Sequence, residues 1–147
     1  MPLKLFEPVQ VGPVTLANRI VLPAMVTRLS GEDGLVNQEI EDRYVRFAQG
    51  EPGLIVVEAM GISQSKSGPL LRIGSDEYLP GLRRLATRIH DTSPTKVVPQ
   101  IIHFLKISRS GWRQTIHDLS IGEIKEVIAQ FAQAAVRARE AGFDGVE

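Results

Sequence analysis

The 147-residue sequence has no cysteine. Disulfides, thiolate nucleophiles and cysteine-ligated metals are thereby excluded. It also lacks a charge excess: seventeen Lys and Arg balance seventeen Asp and Glu. A neutral chain gives no electrostatic reason to expect nucleic acid or an anionic membrane as partner. No apolar run approaches the ~18–20 residues of a membrane span. The opening stretch, "MPLKLFEPVQ", has no long apolar core of the kind a secretory signal needs. A soluble cytoplasmic protein is the default expectation. The apolar fraction, 43%, suffices for one ordinary globular core.

What the sequence does contain is alternation of strand-like and helix-like segments. In "PVQVGPVTL" (8–16), Val9 and Val11 precede a Gly12-Pro13 turn and Val14 and Leu16 follow it, which predicts a short hairpin. "RIVLPAM" (19–25) has the form of a buried strand. From 37 to 50, Asn37 offers an N-cap, Ile40, Tyr44 and Phe47 recur at helical spacing, and Gly50 stops the helix. "GLIVVEAM" (53–60) is a continuously apolar, β-branched strand, and "QSKSGPLLRIGS" (64–75) a loop. Residues 76–91 predict a helix that tolerates Pro80 only near its start. "KVVPQIIH" (96–103) is a third strand, in which Pro99 removes a ladder donor and predicts a bulge or an early end. "SRSGWRQT" (108–115) is a second long loop.

The last helix carries the strongest signal. Ser120 and Glu123 form a capping box. Ile121, Ile124, Val127, Ile128, Phe131, Ala135 and Ala138 form one apolar stripe. Gly142 ends the helix, and 143–146 begins another strand. Apolar strands each followed by a helix imply a parallel sheet. A doubly wound sheet and a (β/α)8 barrel both fit. The first strand–loop–helix unit has no G-x-G-x-x-G, which counts against a dinucleotide-binding unit of the first kind.

Four stretches narrow the choice. They are "LFEPVQVGPVTLANRIVLPAM", "VVEAMGIS" with "QIIH" at 100–103, and "DLSIGEIKEVIAQFAQAAVRAREAGFDGVE". With them the chain resembles the N-terminal half of the Old Yellow Enzyme family, the FMN-dependent NADH:flavin oxidoreductases. The resemblance implies an α/β fold. Residues 1–147 would be an N-terminal hairpin and about three and a half β/α units of a TIM barrel, cut at the start of strand 4. It implies FMN as cofactor, NADH or NADPH as reductant, and a small-molecule alkene such as an enone or enoyl thioester as substrate.

By the same resemblance, Pro23, Ala24 and Met25 line the isoalloxazine edge, and Ala59 is the small residue that allows close approach. Gln100 pairs with the pyrimidine ring, and His103 faces the substrate. The family's substrate-binding His pair and its phosphate loops are expected beyond Glu147, so no catalytic residue is assigned and the chain alone is expected to be inactive. Pro23 can equally close a strand, Met25 and Ala59 can be core, and Gln100 can be a solvated turn residue. His90 and His117 read as surface positions, and Arg109 and Arg113 as a solvated loop or an anion contact.

Three features depart from the family pattern. Val26 stands where the family often has Thr or Cys, Pro99 interrupts strand 3, and His103-Phe104-Leu105-Lys106 replaces H-x-G-R. The rival readings are a (β/α)8 enzyme without flavin and a non-catalytic half-barrel module. A half-barrel predicts an apolar sheet face exposed at residues such as Leu22 and Val57, with association into a homo-oligomer or with a missing half.

Overall fold

The computed structural model describes residues 3–63, 68–105 and 111–147. Its elements follow the predicted order, with one addition: a two-residue strand, Leu71–Arg72, inside the stretch expected to be a loop. Strands β1 (Val9–Val11) and β2 (Val14–Leu16) form an antiparallel hairpin in which Val9 faces Leu16 and Val11 faces Val14. Gly12 adopts φ +56° at the turn, a conformation that favours glycine. Strand β3 (Val21–Leu22) follows, then helix α1 (Gln38–Ala48), strand β4 (Leu54–Gly61) and the short strand β5 (Leu71–Arg72). Helix α2 (Leu79–Thr92), strand β6 (Lys96–Ile102) and helix α3 (Ile121–Glu140) complete the chain.

The caps are those the sequence predicts. Asn37 Oδ1 accepts from the Ile40 amide at 3.1 Å to start α1. Pro80 sits in the first turn of α2, where a missing N–H costs nothing. Ser120 and Glu123 make both bonds of the capping box of α3. Gly142, at φ +92°, closes α3, and the Phe143 amide turns back to the Ala138 carbonyl.

Sheet order decides between the two architectures. β3 pairs with β4, and β4 with β6, all parallel. Residues 144–147 add to the far side of β6: the Asp144 amide donates to Val97 O, Glu147 N to Pro99 O, and Ile101 N to Glu147 O, all near 3 Å. The two-residue β5 extends the β3 edge of β4, opposite β6; apart from it, spatial order follows chain order. The core lies on one face of this sheet, where Ile55, Val57 and Val97 meet Ile40 and Tyr44 of α1, Leu82, Leu85 and Ile89 of α2, and Ala134 and Ala138 of α3. A doubly wound sheet reverses strand order and carries helices on both faces. Sequential order with helices on one face is an arc of a (β/α)8 barrel, open on both sides rather than closed.

Ion pairs and pins fix the layers. Glu41 of α1, itself buried, accepts from Arg84 at 3.3 Å and Arg88 at 2.8 Å of α2. Asn18 Oδ1 accepts from the amides of Ile20 and Gly53, tying the hairpin to the start of β4. A side chain at Gly53 would run into the Asn18 carbonyl, so that close approach requires glycine.

Three expectations need correction. The strand expected over 19–25 is only two residues long and lies open, with Val21 46% exposed, because it has a neighbour on one side only. Val57 is fully buried under the helices and Leu22 packs against the same core, so neither marks the open sheet face. Strand alternation gives that face to Val21, Val56 and Val98 instead. The apolar stripe of α3 is engaged only in part: Ala138 is buried and Val127 and Phe131 pack partly buried against the core, beside Ala134, which the stripe did not include, whereas Ile121 and Ile128 are 74% and 64% exposed. The α3 helix outruns the surface it packs on. Parts of the loops expected at 64–75 and 108–115, including Arg109, lie outside the described residues, as does Lys106.

Candidate functional site

In parallel α/β sheets, chemistry gathers at the C-terminal strand ends, where successive loops converge. Here those ends belong to β3, β4 and β6. Pro23, Ala24 and Met25 leave β3 alongside β4. Pro23 is exposed, Ala24 half-buried and Met25 51% exposed, which excludes the core reading of Met25. Ala59, near the end of β4, is buried and fits a packing role as well as a site role. Gln100 is half-buried on β6. Its amide has no hydrogen bond to a described residue. His103 follows immediately after β6 and is half-buried, while the neighbouring Phe104 ring lies over Gly61. The structure thus brings Ala59 and Gln100 together on adjacent strands, with Pro23–Met25 on the other side of β4.

The β4–β6 ladder is irregular at this point. Val57 pairs with Pro99, but the next pair is Met60 with Ile101, so β4 spends one more residue than β6. Pro99 has no N–H to give, and the bulge absorbs the break. The ladder is irregular beside Pro99, but not as expected: the extra residue belongs to β4, and the strand that carries Pro99 runs on to Ile102. The consequence falls on β4: Glu58 and Ala59 together face Gln100. The Glu58 amide, displaced from the ladder, donates instead to the Tyr44 hydroxyl at 2.7 Å. Burial, chiefly, pushes the Tyr44 phenol well above the ordinary range, so it remains a neutral hydroxyl.

The Glu58 side chain is the feature sequence reading passed over. It is 1% exposed and takes part in no ion pair among the described residues. Its carboxylate instead accepts from the Thr27 amide at 2.7 Å and from the Thr27 hydroxyl at 2.8 and 3.0 Å. The available signal was a single charge inside an otherwise apolar run, "LIVVEAM". A buried carboxylate is expensive unless it is hydrogen-bonded, and such a position is seldom incidental.

The remaining candidates divide plainly. His90 bonds Asp144 at 2.8 Å at the opposite end of β6 and belongs to the framework, and His117 lies in an exposed turn. No group of three or more His, Asp or Glu suited to a metal occurs among the described residues. No described helix is long and apolar enough to cross a membrane. A cleft of about 590 Å³ lies between the turn after β4 and α3, lined by Ile62, Gly74, Gln130 and Arg137 among others. It has no part in the strand-end group and offers no convergent chemistry beyond Arg137, already paired with Asp76 at 2.8 Å. Among the described residues, the strand ends form an open wall in which the Gln100 amide makes no hydrogen bond.

Comparison with known proteins gives a consistent answer. The family model described as "NADH:flavin oxidoreductase / NADH oxidase family" matches residues 4–105 and 99–147. The NADH oxidase of Thermoanaerobacter brockii is 34% identical over 97% of this chain and 25% of its own length. The NADPH dehydrogenase of Bacillus subtilis is 32% identical over 100% of this chain and 48% of its own length. Among solved structures, a variant of NCR from Zymomonas mobilis superposes with TM-score 0.82 at 27% identity, over 99% of this chain and 44% of that one. An Old Yellow Enzyme from Pichia sp. AKU4542 superposes with TM-score 0.84 at 19% identity, over 97% and 45%, and speaks for the fold alone. The chain spans at most about half the length of these relatives. With the family model covering the described fold from hairpin to final strand segment, the chain belongs to the NADH:flavin oxidoreductase / NADH oxidase family.

Proposed function

We propose that residues 1–147 are the N-terminal portion of an FMN-binding barrel domain, which reduces activated C=C bonds of enone or enoyl-thioester type at the expense of NADH or NADPH. The observation that carries the reading is Gln100, a half-buried amide at a C-terminal strand end with no hydrogen bond to a described residue. An amide offers one donor and one acceptor edge to one side, which is what the pyrimidine edge of a flavin requires. In this reading Pro23, Ala24 and Met25 form the wall along the ring edge, Ala59 keeps the floor shallow, and His103 faces the substrate. Val26 has no polar hydrogen, so the wall itself donates nothing to the ring from that side chain. FMN, when bound, supplies the hydride relay between nicotinamide and alkene; the protein supplies orientation and electrostatics. The relatives named NADH oxidase and NADPH dehydrogenase support a nicotinamide reductant and leave its phosphate open. A cytoplasmic site of action fits that reductant.

The test is a titration of FMN into the apo form of the full-length gene product, wild type against Gln100→Ala. The variant is expected to lose about 1–3 kcal/mol of FMN affinity, the cost of an unpaired buried edge, and to shift the visible flavin spectrum. Equal affinities and identical spectra would remove Gln100 from the site. A second reading, a non-catalytic interaction module, draws on the exposed Ile121 and Ile128 of α3 and the open sheet edges. A wild-type protein that takes up no flavin but holds a defined oligomeric state would favour it.

A further inference from the structure

We propose that Glu58 is a positioning residue: acting through Thr27, it fixes the 23–26 wall at the height the flavin ring requires. The proposal rests on the flavin reading above and adds to it a residue that touches neither flavin nor substrate. Three observations converge on it.

The first is the fit of the carboxylate. Both oxygens are engaged by one residue, Thr27, through its amide at 2.7 Å and its hydroxyl at 2.8 and 3.0 Å. A buried carboxylate with two donors from one residue is a charge-assisted, two-point clamp, stiffer than any single neutral bond. The same hydroxyl accepts from the Leu29 amide at 3.2 Å, so the clamp reaches across the turn.

The second is backbone strain. Arg28, between the two clamped residues, has φ +65° although it is not glycine. A side chain pays for that conformation, and it persists only where the surroundings over-determine it. Thr27 on one side and Leu29 on the other supply that constraint, and Asn37, the cap of α1, holds the Leu29 carbonyl at 2.6 Å.

The third is the rigidity of Glu58 itself. The bulge opposite Gln100 turns its amide to Tyr44 on α1 while its side chain reaches Thr27, so main chain and side chain are both held. β3 ends at Leu22, and Pro23–Val26 spans the gap between that strand and the clamp. Releasing Thr27 frees the wall without removing anything from the helix-side core, which Thr27 does not enter.

The experiment uses the full-length gene product with Thr27→Val, Thr27→Ser and Glu58→Gln. Three quantities are read: amide hydrogen exchange over residues 21–31 without flavin, FMN affinity, and the visible spectrum of bound FMN. Thr27→Val keeps the shape but loses the hydroxyl; exchange of the segment should quicken and FMN affinity fall, each about tenfold, the scale of a lost hydrogen bond to a charged group. The bound-flavin spectrum should change with them. Thr27→Ser restores the hydroxyl and should restore all three readouts, and Glu58→Gln should fall between. Faster exchange with unchanged flavin affinity and spectrum would leave Glu58 a structural residue and overturn the proposal, as would no change in any readout. A wild-type protein that binds no FMN would overturn the flavin reading itself, a result visible before any variant is compared.

Discussion

Two residues at opposite ends of β6 show how differently buried polarity can be used. At the C-terminal end, Gln100 is half-buried and its amide makes no hydrogen bond to a described residue, as the proposed flavin contact requires. At the N-terminal end, Asp144 is fully committed: it accepts from the Val97 amide at 2.9 Å, Lys96 Nζ at 2.9 Å and His90 Nε2 at 2.8 Å. Desolvation, the largest influence on Asp144, pushes its carboxyl upward, but those three donors together outweigh it and hold the group below its ordinary value of 3.8. The sign of the pH effect follows. A carboxylate with a depressed folded-state pKa adds stability above its unfolded pKa and loses that stability as pH falls through the folded value. Thermal melts from pH 6 downward should therefore show wild type losing stability as pH drops below about 4, the unfolded carboxylate value. Asp144→Asn should start lower at pH 6 and show a flatter acid limb. Parallel curves for the two proteins would mean that other carboxylates carry the acid sensitivity.

Element by element, the sequence was legible wherever a residue acts on its own neighbours. The caps at Asn37 and Ser120, the stop at Gly142 and the position of Pro80 are local chemistry, and all stand where the pattern puts them. What was not legible depends on something distant. The 19–25 run looks like a buried strand because its residues are apolar, yet burial needs a neighbour on each side, and β3 has one. The stripe on α3 has the right period from end to end, but period says nothing about how far the opposing surface extends. Glu58 reads as an interruption until Thr27, thirty-one residues earlier, is seen folded onto it. Gln100 and Pro23 were reached by resemblance alone, because nothing in their sequence neighbours marks a strand-end residue as a ligand contact. The α3 correction gives a direct measurement. Ser120→Ala should cost about 1 kcal/mol, the usual worth of a cap. Ile128→Ala should cost well under that, because the side chain is already in water. Ile89→Ala, in the core of α2, should cost about 2–5 kcal/mol. Denaturant melts of the three variants rank them. An Ile128→Ala loss as large as that of Ile89→Ala would mean that the α3 stripe is covered in solution.

At the scale of the whole molecule, the 147-residue chain is an arc with two open sides. β3 exposes one edge and residues 144–147 the other, and an unpaired strand edge is a template for another strand. Apolar surface accompanies both edges: Val21 beside the first, Val146 beside the second, and Ile121, Ile124 and Ile128 along α3. Scattered apolar residues are ordinary on a surface, but a row of them along one helix is expected to favour association. The chain spans at most about half of its relatives. Purified alone, the 147-residue chain should fail to oxidise NADH with an enone at a rate comparable to a full-length relative, since half a catalytic constellation typically forfeits several powers of ten. It should also leave a sizing column as an oligomer or aggregate. Light scattering on the eluate gives the mass, and a thermal melt of the same fraction reports whether the species unfolds cooperatively. A monodisperse 16.2 kDa peak with a sharp transition would show that the open edges are self-sufficient. In that case neither the row on α3 nor the edges would need a partner, and the arc would stand as a folded unit by itself.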